Sequence, residues 1–121
     1  MTQTGKDLLL KDLCARLPYG VMAKFGDSNP SKITNITQCI DSDSNSWFIE
    51  SEGESDGMMC EINNVKPYLF PMSSMTEEQD KEFMNIQIGY PSVDWFNKNH
   101  IDYRGLIEKG LAIDATGKNI Y

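Results

Sequence analysis

The chain has 121 residues with 18 acidic against 11 basic side chains, a formal net charge of -7 and 40% hydrophobic residues. That length suits one hydrophobic core rather than two, and the apolar fraction separates the chain from disordered sequences, which cannot offset the entropy of ordering. The acidic excess would repel a phosphate backbone, so direct nucleic-acid binding is disfavoured; apolar runs are no longer than three residues, as in Leu8-Leu9-Leu10, far short of the ~20 residues that cross a bilayer, so no membrane role is expected.

The first element predicted is a helix capped by Thr4 and running to about Arg16, stopped by Pro18. Asp7 stands near its positive end, with Lys11 and Arg16 toward its negative end. Leu9, Leu10, Leu13, Cys14 and Leu17 recur at intervals of three and four and form a stripe that needs a surface to cover, most simply a sheet. Acidic residues interrupt the leucines between Met1 and Pro18, so a secretory leader is not expected there.

From Tyr19 the apolar rhythm changes to alternation, and about five short strands separated by polar turns follow as far as Leu69. Tyr19, Val21, Ala23 and Phe25 share a face of the first. The second runs from Lys32 to Ile40, and the phase change among Ile33, Ile36, Cys39 and Ile40 predicts a bulge near Asn35. A polar turn from Asp41 leads to a third strand, Ser46 to Ser51, with Trp47 and Ile49 on one face. The acidic loop Glu52 to Gly57 precedes a fourth carrying Met58, Cys60 and Ile62. After the Asn63-Asn64 turn, Val65 to Phe70 reads as a fifth strand that Pro67 places at an edge.

Helical spacing returns after Pro71. Thr76 and Gln79 make a capping box for a helix to about Asn85 that turns Phe83, Met84 and Ile86 inward. Ser92 caps another from Val93 to Asn99 burying Trp95 and Phe96, and Asp102 caps a last turn that Gly110 ends. Leu111 and Ile113 read as a docked tail, with a final strand as the alternative. The expectation is a single α+β domain over residues 1–121: an N-terminal helix, a small bent antiparallel sheet of the SH3-like or Sm-like kind, and two or three short C-terminal helices.

Three cysteines, Cys14, Cys39 and Cys60, are odd in number and widely spaced beside a single histidine, which fits neither a disulfide framework nor a zinc site and points to a reducing, cytoplasmic setting. His100 with Asp102 and Tyr103 is the one cluster with acid-base character, read in the first place as a helix-ending histidine and a capping aspartate. Asp41, Asp43 and Asn45 alternate like the first ligands of a calcium loop, and Glu52 falls at its last position, but Ser46 replaces the required glycine and a solvated hairpin is the simpler reading. P-loop, dinucleotide-binding and HExxH patterns do not occur, a glycine-framed serine nucleophile is not expected either, and no cofactor or metal is expected.

Trp47, Phe48, Tyr68 and Phe70 cannot all face one core, because neighbours on a strand point to opposite sides. Either the C-terminal helices cover the outward ones, or a face containing Trp47, Tyr68 or Phe70 meets a protein partner or serves self-association.

Three blocks, LLLKDLCARLPYGV from Leu8, VKPYLFPMSSMT from Val65 and VDWFNKNHIDYRGLIEKGLAI from Val93, resemble a group of uncharacterised short proteins encoded by gut bacterial genomes and their phages or mobile elements. The resemblance carries no catalytic residue; it implies a small cytosolic protein, and a second function class beside a non-enzymatic interaction module. That class is an acidic inhibitor of a host defence protein, with Glu50, Glu52, Glu54, Asp56 and Glu61 competing with nucleic acid. A small enzyme using His100 and Asp102 is the third.

Overall fold

The computed structural model describes residues 2–27, 29–41, 44–52, 59–85 and 90–121. Helix α1 (Gln3–Arg16) is capped two residues before the expected Thr4: Thr2, in extended conformation, accepts the Gly5 N–H on its hydroxyl at 3.0 Å. Pro18 then sits in a single 3-10 turn, Leu17–Tyr19, which Gly20 closes in the left-handed region at φ 72. Tyr19 belongs to this turn rather than to the first strand and is partly exposed, while Val21, Ala23 and Phe25 point inward as their alternation requires.

The strands are β1 (Met22–Phe25), β2 (Ser31–Asp41), β3 (Ser44–Ser51), β4 (Met59–Glu61) and β5 (Val65–Pro71). Order across the sheet is β4-β3-β2-β1-β5, each neighbouring pair antiparallel. The β2–β3 register slips between Ile33 and Asn35, the expected bulge. There Asn35 folds its own carboxamide oxygen onto the Ile36 N–H at 3.0 Å and spans to Glu50 at 3.3 Å. Pairing between β1 and β2 involves only Ser31 and Lys32, so the rest of the β2–β3 hairpin runs on past the end of β1.

Two short additions make the sheet mixed rather than purely antiparallel. β6 (Ile101–Asp102) joins β5 in parallel through Phe70 and Pro71, and β7 (Ile113–Asp114) joins it in parallel through Tyr68 and Leu69. β5 is thus not an edge strand along its whole length. Pro67 is tolerated because, among the described residues, only β1 pairs with its stretch; the other two partners begin at Tyr68.

Helix α2 (Glu77–Met84) carries the expected capping box, with Thr76 Oγ1 accepting from the Gln79 N–H at 3.2 Å and the Gln79 side chain accepting from the Thr76 N–H at 3.0 Å. Phe83 faces inward, but Met84 is 80% exposed, contrary to expectation. A helix of two turns presents only one residue of such an adjacent pair to the core. Helix α3 (Tyr90–Lys98) starts before Ser92, so Ser92 lies inside it and Pro91 in its first turn, where no intrahelical N–H is needed. The third C-terminal helix is replaced by turns over residues 106–110, ended by Gly110 at φ 74.

The main core joins Leu9 and Leu13 of α1 to Val21, Ala23, Phe25, Ile33, Ile49, Val65 and Leu69 of the sheet segment. A second cluster, Trp95, Phe96 and Ile101 with Phe70, Met75, Phe83 and Tyr103, lies beneath α2 and α3. No helix among the described residues is long and apolar enough to cross a membrane.

Candidate functional site

The four aromatics flagged by alternation go to different places. Trp47 shares the inner face of β3 with Ile49, lies opposite Gln38, and is half-buried against the core. It lines a groove of about 340 Å³ with Lys6, Asp7 and Leu10 of α1 and Glu61 of β4. Phe48 points to the other side, between Thr37 and Glu61 of the adjoining strands, and is also half-buried. Tyr68 is buried at 7% exposure, and Phe70 packs into the second cluster with its ring 5.9 Å from that of Tyr121. Trp47 therefore does not share a surface with Tyr68 and Phe70: β2 and β1 lie between them in the sheet.

The most enclosed polar group is one that stripe-counting passes over. Asp12 and Arg16 have fully buried side chains, joined at 2.8 Å, and the second Asp12 oxygen receives Arg104 at 2.7 Å. Arg16 Nη2 donates to the Ile101 carbonyl at 2.6 Å. The two guanidinium carbons stand 5.3 and 4.5 Å from the centre of the Tyr103 ring, which stacks on Phe96 at 5.4 Å. One carboxylate divided between two guanidiniums ties α1 to the segment after β6. Its sequence signal was available: positions 9, 12, 13 and 16 share one helix face, and the two leucines on that face are followed at the same spacing by an acid and a base. Cys14, by contrast, is exposed, although it was counted in the stripe.

His100 and Asp102 are neighbours in sequence with separate duties. Both Asp102 oxygens accept backbone N–H groups, from Leu106 and Ile107, each at 2.9 Å, which is the capping role expected of it. His100 ends α3 in the left-handed region at φ 59 and lies flat on Tyr121, ring centres 3.7 Å apart and 10° from parallel. Burial, followed by the nearby Arg16 charge, lowers its pKa to about 4, so the imidazole is neutral at pH 7. The Tyr121 hydroxyl accepts from the Met22 N–H and donates to the Tyr68 carbonyl, each at 2.8 Å, bridging β1 to β5 where their pairing stops. Enclosure of that end raises its pKa to about 12, while 45% of the residue's surface stays open to solvent.

Among the described residues no three potential ligands come together as a metal site. Asp43, Glu54 and Asp56 lie outside the described residues, as does the calcium reading that needs Asp43; the backbone pairing of Asp41 with Ser44 makes the described part a tight hairpin. Gly53-Glu54-Ser55-Asp56-Gly57, also outside them, matches the bare G-x-S-x-G pattern, so the expectation that no glycine-framed serine occurs is incorrect at the level of the sequence itself. It connects two antiparallel strands, β3 and β4, whereas a nucleophile elbow needs a strand followed by a helix. No family model matches the chain, and neither does any curated protein or solved structure.

Proposed function

We infer that this chain is a small non-enzymatic protein-interaction module of the cytoplasm that engages a protein partner through the groove between α1 and the β2–β3 hairpin. The observation that carries the reading is Trp47: an indole half-buried on one side of an open groove, with Lys6, Asp7 and Glu61 beside it. An aromatic centre bordered by a polar, solvent-accessible rim is the anatomy of a binding surface. The hairpin extends beyond β1, so a partner can reach it without displacing the core. Among the described residues, Asp102 is held by two backbone amides and His100 stacks as a neutral ring on Tyr121, so the two side chains do not converge on one another.

The test is site-specific photo-crosslinking from Gln38, on the groove wall, in cells of the native source, with and without Trp47→Ala. A discrete crosslinked partner that disappears with Trp47→Ala is expected, and sedimentation over a range of concentrations identifies a second copy of the chain as that partner. A crosslinking pattern unaltered by Trp47→Ala would remove the reading.

One observation favours the mobile-element inhibitor as a second reading. Glu61 lies directly opposite Phe48, and Glu50 is two residues along the same strand, so both acids share the outer face of the hairpin with that ring. Competition against nucleic acid for a basic host nuclease, weakened by Glu50→Gln, which lies outside the groove lining, distinguishes this from the groove.

A further inference from the structure

Lys24 of β1 and Lys66 of β5 are directly opposed in the antiparallel register, so their side chains leave the sheet on the same face. Like charges in that position destabilise the pairing. In a chain with 18 acidic residues a bridging carboxylate would be easy to supply, yet among the described residues no ion pair reaches either lysine. Both line an open cavity of about 420 Å³ together with Asn63, Asn64, Asp27 and Ile113. Gly26, at φ 60, donates its N–H to the Asn64 carbonyl and so fixes the turn that brings Asp27 beside the Asn63-Asn64 turn.

We propose that this cavity is a binding site for a phosphorylated sugar, its phosphate monoester held between Lys24 and Lys66. Two ammonium groups on directly opposed residues match a dianion better than a single carboxylate, and an oxyanion between them turns the mutual repulsion into two charge-assisted contacts. Asn63 and Asn64 supply further amide donors. Asp27 accepts from hydroxyl groups and repels a second phosphate, which selects a polyol monoester over a polyanion; the net charge of -7 acts in the same direction. Ile113 provides an apolar wall for the carbon skeleton. The site lies on β1 and β5, away from the Trp47 groove, so it stands independently of the interaction reading.

The experiment is a titration of the isotope-labelled protein, in phosphate-free buffer of low ionic strength, with ribose 5-phosphate, ribose and inorganic phosphate in separate arms. Ribose 5-phosphate is expected to give saturable shifts at the amides of Gly26, Asn64 and Lys66, and ribose none. Lys66→Gln, an exposed position, should weaken binding by about tenfold or more while raising the Tm of the unliganded protein by removing the like-charge pair. Lys24→Gln should do the same. No saturable shift at millimolar ligand, or equal affinity in both variants, would overturn the site; inorganic phosphate binding as tightly as ribose 5-phosphate would overturn the sugar.

Discussion

Asp12 and Arg16 stand one turn apart on the buried face of α1, and neither side chain has any solvent exposure. A buried ion pair adds little net stability over an apolar pair of similar size, but removing one partner leaves a charge that neither water nor protein satisfies. Asp12→Ala strands two guanidiniums at once and should cost about 3–5 kcal/mol. Arg16→Met should cost less, since Arg104 still serves the carboxylate. Urea unfolding of the two variants beside the parent checks the order; an Asp12→Ala cost below that of Arg16→Met would show that the carboxylate is not the hub.

The acidic limb of stability should carry a contribution from His100. Its folded pKa of about 4 lies below the ordinary value of 6.5, so the unfolded chain takes up a proton at higher pH than the native chain does. The neutral ring's contribution is complete above the ordinary value, shrinks as pH falls through the interval between the two, and is gone below the folded pKa. His100→Gln should flatten the stability difference between pH 7 and pH 4.5 relative to the parent. A His100 ring proton that titrates near its ordinary value in the folded protein would refute the burial argument.

Tyr121 closes the seam between β1 and β5 from outside the sheet. Tyr121→Phe keeps the ring on His100 and Phe70 but leaves the Met22 N–H and the Tyr68 carbonyl without this partner, for a cost of about 1–2 kcal/mol. With the folded pKa raised to about 12, the protonated phenol is the form the native state prefers; its contribution is complete below the ordinary value of 10 and is lost as pH rises through the folded value. An ultraviolet titration of the native protein should show one tyrosinate forming late, and that late step should be absent from Tyr121→Phe.

Much of this architecture is legible in the sequence, for reasons that are local. The alternation of Val21, Ala23 and Phe25, the phase slip at Asn35 and the Thr76–Gln79 box are each decided by residues within a few positions of one another, and each has its expected geometry. What the sequence hid is decided by distant partners. Whether Asp12 faces solvent or core depends on Arg104, and the strand character of Ile101, like the parallel sense of the strand at Ile113, depends on β5 offering an edge. The three aromatics part company for the same reason: strand alternation says that Phe48 and Trp47 diverge, but only the fold says that the C-terminal helices and Tyr121 cover Phe70, while among the described residues no helix covers Trp47 in that way.

The two tryptophans give a direct test of that difference. Trp95 is 6% exposed and packs within 5.8 Å of both Phe83 and Phe96, whereas Trp47 lines the open groove beside Lys6 and Asp7. Iodide should quench one emission component and spare the other; Trp47→Phe should remove the quenchable component and Trp95→Phe the protected one. Truncation should separate them energetically as well. Trp95→Ala empties the second cluster and should cost about 3–5 kcal/mol, while Trp47→Ala, whose ring is already partly solvated, should cost less because there is less burial to lose. If Trp47→Ala proves as damaging as Trp95→Ala, the indole is a core residue and the groove beside it is no place for a partner.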